Sequence, residues 1–113
     1  MKLLMSGELK DRDGEVIQFN GKPLTLERAI CVALDGGTGE NLSLEEKVKR
    51  FKLACKIHGQ ALPVELTIAE ADLIQKTVNA FFTAPIVVGQ VVAAMEEATN
   101  MAKPNGAGVV KDA

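Results

Sequence analysis

Apolar residues recur along most of this chain at helical spacing, in four separate segments. Leu26, Ala29, Ile30, Ala33 and Leu34 mark the first, over about 26–34. Leu44, Val48, Phe51 and Cys55 stand at i, i+4, i+7 and i+11 and set the expected apolar face of the second, over about 44–58. Ala71, Ile74, Val78 and Phe81 mark the third, about 68–81, and the run Ile86 to Met95 fills the fourth, about 85–99. The flanking residues agree with these limits. Thr25 stands where an N-cap belongs, and Ser43 and Thr67 each precede a glutamate three residues on (Glu46 and Glu70), the spacing of a capping box. Pro85 suits the first turn of a helix. Asp35-Gly36-Gly37 closes the first helix, with glycine expected in a left-handed cap, and Gly59 closes the second.

Ahead of the helices the pattern changes. Asp13-Gly14 and Asn20-Gly21 bracket the β-prone run Glu15 to Phe19, and both dipeptides supply the positive φ of tight hairpin turns. A small antiparallel hairpin is expected over about 8–22, with a third extended segment through Lys22-Pro23-Leu24. A lone hairpin is marginal in water, so it must pack on the helices. Pro63 to Leu66 reads as extended and is expected to join that hairpin as a further strand. The fold class is therefore α+β: a small N-terminal hairpin on about four helices, one compact domain over 1–99, then an aperiodic tail over 100–113 containing Pro104, Gly106 and Gly108.

Composition narrows the chemistry. At 113 residues the chain buries roughly two-thirds of its unfolded surface, enough for one core. That core must be aliphatic, since the only aromatics are four phenylalanines. A formal net charge of −2 is too balanced for a dedicated nucleic-acid binder. Cys31 and Cys55 lie inside apolar helical patterns and are expected as free thiols. The opening Met1 to Met5 is too short for the core of a signal peptide, and the apolar stretch Ala84 to Met95, broken by Gln90, is too short to span a bilayer. A cytoplasmic location, with no membrane partner, is the expectation.

Four segments carry residues that could form a site. Asp35 to Glu46 has the length of a calcium loop, but Gly37 and Gly39 offer no side-chain oxygen and Glu40 stands where glycine is required. Gly36-Gly37-Thr38-Gly39 follows a helix rather than a strand and lacks the Lys-Ser/Thr ending of a phosphate loop. His58, the only histidine, lies three residues after Cys55, and one such pair does not complete a zinc site. Its place at a helix end is explained by the helix dipole. The second helix carries Lys47, Lys49, Arg50, Lys52 and Lys56, which gives the alternative reading of a small nucleic-acid-binding regulator. Glu45 precedes Lys49 by four, and Glu46 precedes Arg50 by four, so a solvated, ion-paired face is the preferred account. No catalytic residue, metal site or cofactor is expected.

The fourth helix offers the positive signal. Ile86, Val87, Val88, Val91, Val92, Ala94 and Met95 cover more than one face, so it must be buried on more than one side. Either it is the central helix of the domain, or its second face belongs to an interface. Phe82, Val88, Gly89, Val92 and Met95 are the candidate interface residues, with a symmetric homo-oligomer the simplest form.

Three segments, Leu44-Glu45-Glu46-Lys47-Val48-Lys49-Arg50-Phe51, then Val64-Glu65-Leu66-Thr67-Ile68-Ala69-Glu70, then Pro85-Ile86-Val87-Val88-Gly89-Gln90, occur here in that order. Over about residues 24–97 the chain thereby resembles short proteins encoded by tailed phages and bacterial prophages. The resemblance rests on capping and packing patterns and brings over no catalytic residue. It implies a phage-related context with a virion-assembly or host-interaction role. Together with the excess apolar face of the fourth helix, this gives the expectation of a non-enzymatic protein–protein interaction or assembly protein whose partner is a second copy or another phage or host protein.

Overall fold

The computed structural model describes residues 1–36 and 41–102, with side chains described as far as Thr99. In chain order the elements are β1 (Lys2–Leu3), β2 (Gln18–Phe19), β3 (Lys22–Pro23), α1 (Leu26–Asp35), α2 (Leu44–Ile57), β4 (Val64–Glu65), α3 (Ile68–Phe81) and α4 (Pro85–Ala102). The fold is α+β, a small hairpin packed on four helices. α4 continues to Ala102, and the remainder of the expected tail, 103–113, lies outside the described residues.

The hairpin forms as its turn residues dictate. Asn20 (φ 53°) and Gly21 (φ 80°) place β2 against β3 in antiparallel register, Phe19 opposite Lys22. The earlier turn is fastened by Asp11, whose Oδ1 accepts from the N–H groups of Asp13 (2.9 Å) and Glu15 (3.0 Å). Leu9 donates to Leu24 O and accepts from the N–H of Ile17, so three extended pieces share one patch of backbone bonding. β4 does not join this hairpin. It pairs with β1, Lys2 opposite Glu65 and Leu3 opposite Val64, in a separate two-stranded ribbon. That partner is more than sixty residues away and carries no local sequence signal.

α1 is the central helix, packing against α2, α3 and α4. Its buried face, Leu26, Ala29, Ile30, Ala33 and Leu34, is the one its periodicity predicts. Thr25 caps it by accepting from the Arg28 N–H at 3.1 Å. Its other end departs from expectation: Gly36 is extended (φ −84°), not left-handed. Glycine is needed there for space, because a Cβ would lie 2.5 Å from Phe81 Cε1 and 2.9 Å from Val32 O.

α3 buries Ala71, Ile74, Thr77 and Val78 behind a complete capping box, Glu70 N–H to Thr67 Oγ1 (3.1 Å) and Thr67 N–H to Glu70 Oε1 (2.9 Å). α4 sets Val87, Val91 and Met95 into the core, with Ile86, Val88, Ala94 and Ala98 half-buried against it. Gln90, the polar break in the apolar run, fastens the hairpin to this helix. Its amide accepts from Lys10 N–H (3.0 Å) and donates to Lys10 O (2.8 Å) and Ile86 O (2.7 Å).

Candidate functional site

The structure divides the five residues expected at an α4 interface. Met95 and Phe82 are buried in the chain's own core, where they offer no surface to a partner. Val88 and Val92 are half-buried, and Gly89 is exposed. The excess apolar surface of α4 is thus largely taken up within the fold, by α1, α3 and β1. Among the described residues, no helix is long and apolar enough to cross a membrane.

α2 corrects the sequence reading most sharply. Its expected core face points outward: Leu44 is 79% exposed, Phe51 62% and Val48 39%, and Cys55 is also exposed. The face turned to the core carries Arg50, Leu53, Ala54 and Ile57. At about 100° per residue the two faces stand roughly 140° apart, so α2 has two apolar strips and packing on α1 uses the shorter one. The shorter strip holds fully apolar Leu53, Ala54 and Ile57 beside α1, and there Cys31 Sγ points at Ala54 O (3.9 Å).

The basic row is correspondingly split. Arg50, expected on the solvated face, is only 2% exposed, with its Nε 3.8 Å from Glu46. Lys56 is committed to Glu70 at 2.8 Å. Lys47, Lys49 and Lys52 remain exposed, and Lys49 and Lys52 share a groove between α2 and α3 with the acids Glu46 and Glu70. Mixed signs in one groove do not make the continuous positive track that a phosphate backbone requires.

Around the outward strip the charges are ordered. With Leu44 and Phe51 as d positions and Val48 and Cys55 as a positions of a heptad, Glu45 and Lys52 fall at e and Lys47 at g. Glu45 and Lys52 therefore flank the strip on one side, and Lys47 on the other.

A second constellation lies where α1 meets the end of α2. His58 does not pair with Cys55. Its Nδ1 lies 3.4 Å from Glu27 Oε2, and that oxygen also accepts from the N–H of Gly59. Gly59 is left-handed (φ 75°), which turns the chain back over α1. Cys31, one helical turn beyond Glu27, completes a trio whose ligand atoms lie within 4.8 Å of one another. Burial, then the nearby Glu27, Asp35 and Cys55, pushes the Cys31 thiol up to about 11, so as it stands it is a protonated and poor nucleophile at neutral pH. Sequence spacing shows Glu27 and Cys31 on one helix face; the approach of His58 is a product of tertiary packing.

Comparison of the chain with protein-family models, with curated protein sequences and with solved structures finds no match.

Proposed function

We propose that this chain is a non-enzymatic protein–protein interaction module of phage-related origin, and that it works by self-association through the outward strip of α2. The observation that carries the proposal is the exposed row Leu44, Val48 and Phe51 on a helix whose opposite side already serves the core. A second copy suits this row because its charges are self-complementary. In an antiparallel pairing, Leu44 faces Cys55 and Val48 faces Phe51 of the other copy, in four layers. Glu45 then lies beside the other copy's Lys52, twice by symmetry. A parallel pairing would instead set Lys47 beside Lys52, like charge on like.

Four layers form a contact below the usual size of a stable interface, so the dimer is expected to be weak, with a dissociation constant of about micromolar or higher. Sedimentation equilibrium across that range tests it. The wild-type chain should dimerise, Phe51→Asp should remain monomeric, with thermal stability equal to the wild type's at concentrations where both are monomeric, and Glu45→Lys should weaken the dimer. Adding Lys52→Glu to Glu45→Lys should restore it. A wild-type chain that stays monomeric to millimolar concentration, or a dimer indifferent to Phe51→Asp, would overturn the proposal.

A further inference from the structure

The geometry points to a divalent transition-metal site, of the zinc class, formed by Glu27, Cys31 and His58 at the junction of α1 with the end of α2. The three residues offer a carboxylate oxygen, a sulfur and an imidazole nitrogen, the donor set that zinc accepts. Glu27 and Cys31 are four apart on α1 and so project from one face of that helix. His58 arrives from the other side, as the C-cap of α2. Their ligand atoms already lie within 4.8 Å of one another, and the Glu27–His58 pair stands at 3.4 Å. Zinc bonds of about 2.0–2.3 Å in tetrahedral geometry separate neighbouring ligands by about 3.6 Å. The widest pair must therefore close by at most about 1.2 Å, within reach of side-chain rotation.

Two features give the trio the character of a prepared site. The N–H of Gly59 holds the Glu27 carboxylate in place, an outer-shell contact of the kind that orients metal ligands. The trio also opens on a cleft of about 810 Å³, lined further by Arg28, Asp35 and Phe81, which leaves a fourth coordination position accessible to water. On binding, Cys31 coordinates as the thiolate and its proton passes to solvent. The ion would join α1 to α2 across their junction and so stabilise the fold. This site shares no residue with the outward strip of α2, and its test is independent of the dimer.

The chain has one histidine and two cysteines, so a thiolate-bound metal must use Cys31 or Cys55. Zinc titration by calorimetry, and cobalt titration followed by the near-ultraviolet thiolate charge-transfer band, should both give one ion per full-length chain. Saturating zinc should raise the melting temperature, because only the folded chain presents the site. Cys31→Ser should abolish the cobalt band. His58→Gln, at an exposed position that leaves the fold intact, should keep the band and weaken binding by more than about tenfold. Cys55→Ser should change neither. Absence of binding at micromolar zinc, a band that survives Cys31→Ser, or one that is lost with Cys55→Ser, would overturn the assignment.

Discussion

Gly36→Ala isolates a close approach on which the end of α1 depends. The backbone there is extended, a conformation alanine adopts freely, so any cost must be steric. The new Cβ would meet Phe81 Cε1 at 2.5 Å and Cδ1 at 3.1 Å, whereas carbon atoms settle at about 3.5–4.0 Å. Phe81 would have to retreat by about 1 Å. Its ring is held edge to face against Phe82, 5.0 Å between centroids, and Phe82 meets Phe19 of the hairpin at 5.7 Å. The other contact, Val32 O at 2.9 Å, is backbone and accepts the Gly36 N–H, so it yields little. Overpacking of this kind costs about 1–3 kcal/mol, and the entropy removed from the unfolded chain offsets about 0.4–1 kcal/mol of it.

The net expectation is a loss of roughly 1–2 kcal/mol, which lowers the melting temperature of a domain this size by roughly 5–15 °C. Circular dichroism of thermal and urea unfolding on the wild type, Gly36→Ala, Phe81→Ala and the double variant measures both the loss and its origin. With the Phe81 ring gone, Gly36→Ala should cost about 1 kcal/mol less than in the wild type. A variant as stable as the wild type, or an equal cost in both backgrounds, would refute the steric argument.

Three further predictions concern single side chains. Thr77 is fully buried in α3 and its Oγ1 has no hydrogen-bond partner among the described residues, so Thr77→Val should raise the urea midpoint by roughly 0.5–1.5 kcal/mol equivalent without altering the m-value. A loss of stability would instead reveal a partner for that hydroxyl. Glu70 is held below the usual carboxylate range: burial opposes ionisation, but the hydrogen bonds from Lys56 and Thr67 outweigh it. Its contribution is fully present above about pH 4.5 and is lost as the pH falls through the lowered value; for so exposed a pair it amounts to about 0.2–1 kcal/mol. Stability measured from pH 6 to 2.5 should therefore fall less in Glu70→Gln than in the wild type; parallel curves would contradict this. On α2, Ile57→Ala should cost about 2–5 kcal/mol, while Val48→Ala stays within about 0.5 kcal/mol at concentrations where the chain is monomeric. Equal or reversed costs would contradict the burial of the Ile57 face.

Much of this architecture is legible in local pattern. The faces of α1 and α3 follow from spacing alone, because each helix has one apolar strip and packing has no second option. The hairpin follows from Asn20-Gly21, whose φ values suit few other residues. Non-local choices were not legible. The β1–β4 ribbon joins segments without strand length of their own, and only the collapse of the helices brings them together. The trio Glu27, Cys31 and His58 is half visible as an i, i+4 pair; the histidine's nearest sequence partner, Cys55, faces solvent instead. The apolar excess of α4 was legible as a need for cover, but not as cover supplied from within the chain.

α2 shows why periodicity alone misleads here and why its outcome bears on function. The more regular strip, Leu44-Val48-Phe51-Cys55, is left in water, while the core side admits Arg50, a charge that is costly to bury and is met by Glu46 at 3.8 Å. Turning α2 by about 140° would bury Leu44, Val48 and Phe51 but bring Leu53, Ala54 and Ile57 out of the core. The observed rotation also keeps Lys56 beside Glu70 on α3 and lets the Gly59 N–H donate to Glu27 on α1. With Leu53, Ala54 and Ile57 packed in the core, Leu44, Val48 and Phe51 are left outside it. A solvent-facing strip with no role would tolerate polar residues at Leu44, Val48 and Phe51, which are also better suited to water. Apolar side chains at all three positions, flanked by charges that match a second copy in antiparallel order, are what the proposed pairing of two copies would bury.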